Sequence, residues 1–241
     1  QIPSKGNKYL IFTLFGLKYR KNKYDISIAA KTGIGSANGF FPYILGAKKQ
    51  ISYISKTKTW TDKLVNCPIT FSEKIYHSQH YALGVLQLLD SKLTKIPDYL
   101  YPKLKIQVTV RNNLKPKLLI SVSNNNDWCL LNNKTIASII NTISKEFKFD
   151  IYISALKSDY DQALNLKKKI TQKSTIKLTP RLNDYLELMS SMDLCFFGEG
   201  GGMHIAAALG VHQVVLFGHT SKITWSPLSK IATVLDDKSN V

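Results

Sequence analysis

LCFFGEGGGMHIAAALGVHQVVLF, residues 194–217, is the stretch whose reading decides the fold. An apolar run, Leu194 to Phe197, ends in the glycines of Gly198 to Gly202, passes into an alanine-rich segment from Met203 to Leu209, and returns to an apolar run at Gln213 to Phe217. Short apolar runs bounded by turn formers read as buried strands, the alanine-rich segment reads as a helix, and Gly210 reads as its stop. Strand, glycine turn, helix and strand together make a βαβ unit, whose two strands run parallel.

The alternation continues on the N-terminal side. Lys117 to Ser123 predicts a buried strand, Asn124 to Asp127 a loop, and Lys134 to Phe147 a helix with Ile136, Ile139, Ile140 and Ile143 on one face. Asp150 to Ala155 and Ser174 to Leu178 follow as strands, with helices over Ser158 to Lys169 and Leu182 to Ser191. Asp184 and Glu187 lie near the start of the last helix, where its macrodipole favours acids. Earlier in the chain, Tyr24 to Ala30 predicts a strand, Lys31 to Ser36 a turn-rich loop, Ala37 to Leu45 a helix closed by Gly46, and Ile51 to Ser55 a strand. Lys56 to Lys74 reads as a polar connector, the segment Ile75 to Lys95 as an amphipathic helix, and Pro97 to Pro102 as a break. Such alternation predicts an α/β protein with parallel sheets covered by helices on both faces.

Composition narrows the function. The chain has 241 residues, 44% of them hydrophobic, enough for one large core or two smaller ones. A net charge of +17 raises a nucleic-acid reading, but the lysines are dispersed, Arg20, Arg111 and Arg181 are the only arginines, and no nucleic-acid-binding signature is present. An RNA-associated role therefore rests on charge alone and no nucleic-acid partner is expected; phosphorylated or anionic-lipid surfaces suit that charge better. Cys67, Cys129 and Cys195 are odd in number and lack CxxC spacing, which argues against a disulfide framework and a zinc site and for a reducing cytoplasm. No apolar run approaches the roughly 20 residues that span a bilayer, so a soluble or peripheral protein is expected. The chain opens at Gln1 without a signal-peptide core, and a fragment of a longer polypeptide or a processed product is expected.

The glycine turn is where chemistry becomes visible. A strand that ends in glycines and runs straight into a helix lets backbone N–H groups approach an anion closely, and the helix N-terminus adds partial positive charge. In an open α/β sheet such a turn lies beyond the carboxyl ends of the strands, where ligands bind. The spacing is neither the GxGxxG of a dinucleotide fold nor a P-loop, and a glycine run also serves close packing of helix on sheet. Glu199 and His204 flank the glycines. Glu199 has acceptors for sugar hydroxyls and His204 a donor for a phosphate oxygen; a solvated loop acid and a helix-packing histidine are the plainer readings.

Read from Asp193, the stretch DLCFFGEGGGMHIAAALGVHQVVLFGHTSKITWSPL resembles the signature of glycosyltransferase family 9, the ADP-heptose:lipopolysaccharide heptosyltransferases. Met203-His204, Ala206 to Gly210, Val214 to Gly218, Thr220 and Trp225 with Pro227 carry the match over some 35 residues. Tyr24-Asp25, Leu45 to Lys49 and His77 extend it upstream more weakly. The resemblance implies a GT-B fold of two Rossmann-like domains with parallel sheets, a partial N-terminal, acceptor-side domain over 1–112 and a C-terminal nucleotide-sugar-binding domain over 113–241. It implies a cytoplasmic enzyme, in peripheral contact with the inner face of the bacterial inner membrane. Such an enzyme transfers a sugar, a heptose by the resemblance, from a nucleotide-sugar donor such as ADP-heptose to lipopolysaccharide core or a related anionic glycolipid. The transfer is inverting and metal-independent, with no cofactor. In this reading Gly200, Gly201 and Gly202 cradle the diphosphate, followed by Met203 of the family's Met-His pair. His204 and Thr220 donate to the diphosphate and Glu199 holds the donor sugar; Thr220 also reads as an ordinary turn residue, and Trp225 with Pro227 as a packing corner.

Three departures from the family pattern shape the expectation. No strand and glycine loop bearing the family's catalytic carboxylate precedes Tyr24, which leaves the base unassigned, with Asp25 as a substitute. The loop that usually places a lysine shortly before a tryptophan reads NNNDWCLLNNK, with Trp128 present and Lys134 the nearest lysine after it. The usual acid is Glu199 and the Thr or Ser after it is Gly200. A truncated or degenerate relative that binds a nucleotide sugar without transferring it is the alternative.

Overall fold

In a computed structural model of the chain, the residues described are 8–29, 37–54, 60–70, 101–106, 115–122 and 132–236. Their contacts form two compact units, Gln1–Pro97 and Asp98–Val241. The division falls before the 112/113 boundary expected from sequence. Residues 101–106 belong with the second unit, where the Leu104 N–H donates to the Ala208 carbonyl at 2.7 Å.

The first unit holds a parallel sheet of β1 (Ile26–Ala29), β2 (Lys49–Ile54) and β3 (Cys67–Thr70), in that spatial order. Helix α1 (Lys8–Arg20) packs on α2 (Ala37–Leu45) through Phe12 and Phe15, whose rings lie 5.3 and 5.9 Å from that of Phe41. Gly16 lets the two helices meet, since a Cβ there would fall 2.3 Å from Ile44 Cγ2. A 3-10 turn at Trp60–Leu64 leads into β3, where Pro68 stands opposite Ser52.

The second unit is a six-stranded parallel sheet. Its strands are β4 (Lys117–Ser121), β5 (Asp150–Ala155), β6 (Ser174–Leu178), β7 (Leu194–Gly198), β8 (His212–Phe217) and β9 (Ala232–Asp236). The spatial order is β6-β5-β4-β7-β8-β9. Helices α3 (Asn133–Ile143), α4 (Tyr160–Lys169), α5 (Leu182–Ser190), α6 (Gly201–Leu209) and α7 (Lys222–Trp225) connect them. Alternation along β4 separates two cores: Leu118 and Ile120 face Ile136 and Ile140 of α3 and Leu166 of α4, whereas Leu119 packs with Met189 of α5 and Met203 and Ala206 of α6. A strand buried on both faces needs a continuous apolar run, which is why KLLIS carries no polar alternation. The order reverses between β4 and β7, and the crevice at their carboxyl ends is the switch point where doubly wound sheets take ligands.

Most expected elements of the second unit stand within a few residues of their predicted ends. The helix after the glycines is the informative exception: it was expected from Met203 and begins at Gly201, so two glycines belong to its first turn. The structure adds α1, β3, α7 and β9, none of which the sequence reading contained. The predicted loops at Lys31 to Ser36 and Asn124 to Asp127 and the helix at Ile75 to Lys95 lie outside the described residues.

Gln213 of β8 is 1% exposed, and among the described residues neither its amide nitrogen nor its oxygen has a hydrogen-bond partner. An unsatisfied buried amide costs about 1–3 kcal/mol. Gln213→Met, close in volume and without polar hydrogen-bonding groups, is expected to raise unfolding stability by about 1 kcal/mol in urea titrations.

Candidate functional site

The carboxyl ends of β4, β5 and β7 open onto a cavity of about 490 Å³. Its lining includes the turn Gly198 to Gly202 that carries β7 into α6, Leu156 and Pro180 from the loops after β5 and β6, and Leu182 at the start of α5. Gly200 occupies the N-cap of α6 and no side chain caps the helix. Among the described residues, the N–H groups of Gly201, Gly202 and Met203 have no recorded hydrogen-bond acceptor. Three first-turn amides beside a cavity form a site for an anion, because the free N–H groups and the helix macrodipole act in the same direction.

Gly202 is there for a steric reason. A Cβ on Gly202 would lie 2.7 Å from Tyr185 Oη and 3.3 Å from the Phe197 ring, closer than any side chain tolerates without displacing a neighbour. Gly201 has open space where its Cβ would be, so its small size leaves the cavity rim uncovered.

Glu199 is 5% exposed. The Gly218 and His219 N–H groups donate to its Oε1 at 2.8 and 2.5 Å, and the Thr220 N–H donates to Oε2 at 2.8 Å. Burial alone would raise its pKa. The Thr220 hydroxyl and the three amides outweigh burial and hold the carboxyl below the usual glutamate range. The side chain thus ties the loop after β7 to the loop after β8. Both Glu199 oxygens accept from backbone, and Thr220 directs its N–H and hydroxyl to Glu199; the expected roles of Glu199 toward a donor sugar and of Thr220 toward a diphosphate stand as proposals.

The other expected residues divide. Met203 is 2% exposed and its side chain lies in the core under α6, so its only polar group facing the turn is backbone. His204 is exposed in the first turn of α6 and is not part of the cavity wall. Asp25 sits immediately before β1, at the amino end of a parallel sheet, paired with Lys48 Nζ at 2.7 Å. That is the edge opposite the one where such sheets bind ligands, and an exposed pair with lysine lacks the desolvation that tunes a catalytic base. Lys134 stands in the first turn of α3, its N–H bonded to the Asn132 side chain. Trp128 and His77 fall outside the described residues.

Three hydroxyls were missed from sequence. Ser121 at the end of β4, Ser154 near the end of β5 and Tyr185 on α5 all line the cavity. Burial pushes the Tyr185 phenol up to about 12, against the opposing pull of the Ser121 and Ser154 hydroxyls. No well-formed hydrogen bond among the described residues reaches the buried Ser154 Oγ. The serines were within reach of a rule that looks at strand ends; Tyr185 belongs to a helix and meets them only through packing. No group of three or more His, Cys, Asp and Glu suited to a metal ion occurs among the described residues, and none of the described helices is long and apolar enough to cross a membrane.

The sequence model of glycosyltransferase family 9 (heptosyltransferase) matches residues 14–240. Solved structures agree in fold. A family 9 glycosyltransferase from Veillonella parvula DSM 2008 superposes with a TM-score of 0.71 at 13% identity, over 98% of this chain and 70% of its own. The E. coli ADP-heptose lipopolysaccharide heptosyltransferase II gives 0.66 at 15% identity, over 93% of this chain and 72% of its own. The E. coli heptosyltransferase WaaC, solved with ADP, gives 0.65 at 13% identity, over 93% and 70%. No curated protein sequence matches the chain. The two parallel-sheet units are those of the GT-B class of glycosyltransferases. The chain belongs to glycosyltransferase family 9.

Glu199 makes a prediction about pH. Its folded pKa is depressed, so its contribution to stability is complete above the unfolded value of about 4.5 and is lost as pH falls through the folded value. Glu199→Gln puts an N–H donor among amide donors and is expected to cost about 2 kcal/mol near neutral pH. Urea unfolding of both proteins along a pH series should show that gap closing in acid.

Proposed function

We propose that this glycosyltransferase moves a sugar from a nucleoside-diphosphate donor bound in the cavity at the carboxyl ends of β4, β5 and β7. The observation that carries the reading is the set of first-turn amides of Gly201, Gly202 and Met203, which have no acceptor among the described residues and stand beside that cavity. As the glycosidic bond breaks, negative charge grows on the departing diphosphate, and fixed backbone donors stabilise it without reorganising. Those donors supply the charge stabilisation that a metal ion gives in other transferases, which supports a metal-independent transfer needing no cofactor. The cavity extends from the glycine turn past Leu156, Pro180 and Leu182, apolar surfaces suited to the face of a nucleoside base.

Heptose is the donor sugar we propose, with ADP as its carrier and lipopolysaccharide core or a related anionic glycolipid as acceptor. Support comes from the family and from structural neighbours whose names specify ADP-heptose and lipopolysaccharide. A single displacement with inversion requires a base for the acceptor hydroxyl. Glu199 is the one acid in the described cavity wall and its oxygens are occupied, so the base comes from outside that wall. His204, exposed in the first turn of α6, is the nearest imidazole to the amides along the helix and serves as a further donor to the diphosphate. The charge of +17 supports residence on the cytoplasmic side, in peripheral contact with an anionic membrane that carries the acceptor.

Calorimetry with ADP is expected to show binding, weakened at least about tenfold by Gly202→Ala through the clash with Tyr185 and Phe197. Incubation with ADP-heptose and heptose-deficient lipopolysaccharide should yield product of inverted anomeric configuration by NMR. Absence of ADP binding would remove the donor site; binding without transfer would identify a nucleotide-sugar-binding relative instead of an active transferase.

A further inference from the structure

We propose that Tyr185 is a phosphate-binding residue of the donor site, its phenol donating to the same diphosphate that the first-turn amides of α6 face, with Ser121 holding the phenol in place. The proposal rests on the donor-site reading above and deepens it by naming a side-chain contact that the family signature does not contain.

Three hydroxyls arrive at one wall of the cavity from three separate elements, β4, β5 and α5. Tyr185 Oη stands against the first turn of α6, 2.7 Å from where a Cβ of Gly202 would be, and Tyr185, Gly201 and Gly202 line the same cavity. Burial keeps the phenol protonated across the whole working range of pH, which makes it a donor. A phenol has a single proton. With the Ser121 hydroxyl donating into a lone pair of the phenol, that proton is left to point at the anion, and a hydrogen bond to a phosphate oxygen is stronger than one to a neutral serine. Ser154 provides a second, independent sign of a missing ligand: the residue is 1% exposed, lines the cavity, and its Oγ has no well-formed partner among the described residues. Buried hydroxyls in folded proteins are satisfied, and a polar ligand in the cavity would complete this one.

The one acid of the wall does not oppose an anion there as a bare carboxylate would. Glu199 is surrounded by three amides and the Thr220 hydroxyl, which damp its charge.

The test is calorimetry on the full chain with three probes, ADP, inorganic pyrophosphate and adenosine, for the parent protein, Tyr185→Phe and Ser121→Ala. Tyr185→Phe keeps the ring and deletes the donor. It is expected to weaken ADP and pyrophosphate about tenfold and to leave adenosine unchanged. Ser121→Ala is expected to weaken the same two probes by a smaller factor of about three, through loss of phenol alignment, and it answers the question if Tyr185→Phe does not fold. Unchanged ADP and pyrophosphate affinity in Tyr185→Phe overturns the proposal, and so does an equal loss for adenosine, which marks the ring as packing alone. Failure of the parent protein to bind ADP or pyrophosphate would sink the donor-site reading itself, a result separate from any difference between parent and variant.

Discussion

A carboxylate surrounded by backbone amides holds this site together. Taking Glu199 out of water is costly unless its oxygens are satisfied, and three amides from Gly218, His219 and Thr220 satisfy them without freezing any long side chain. The donors belong to the loop after β8 and the acceptor to the loop after β7, so the bond joins the exits of two neighbouring parallel strands. That join anchors the chain immediately ahead of the glycine turn that lines the cavity and leads into α6. An acid next to an anion site would ordinarily repel the anion; here its charge is met by fixed dipoles before any ligand arrives.

Strand direction does the rest of the placement. In the second unit all six strands run the same way, so the ends of β4, β5 and β7 come together on one edge with the N-terminus of α6 beside them. The same rule works in the negative for Asp25, which precedes β1 and lies on the amino edge of its own sheet in an exposed pair with Lys48. An exposed ion pair of this kind adds little stability and has none of the desolvation that prepares a base for catalysis.

Much of this architecture is legible in the amino-acid order, for identifiable reasons. Strands β4, β5 and β7 are apolar runs because both their faces are covered, and α3 shows its isoleucines at helical spacing because only one of its faces is. Elements that escaped do so by breaking those patterns. In α1 aromatic residues and Gly16 face a second helix, not a sheet; β3 contains a proline; β9 alternates half-buried and exposed residues. The glycine turn was visible as an anion site, yet the roles of its neighbours were not. Whether Glu199 points at a sugar or at the next loop depends on where β8 ends, and whether Tyr185 meets Gly202 depends on how α5 lies against α6. Met203 shows the same limit from the other side: it belongs to the signature because the core under α6 needs a long apolar side chain, and only its backbone faces the turn.

The proline of β3 has a consequence for how the strands of the first unit are tied together. Pro68 stands opposite Ser52 in register. A ring nitrogen has no hydrogen to offer, so this residue brings the sheet one donor fewer than any other residue would in its place. Just ahead of the strand a side chain adds to the fastening: Asn66 accepts from the Gln50 N–H through its Oδ1 and donates through its Nδ2 to the Lys48 carbonyl, both at 2.8 Å, clasping the start of β2.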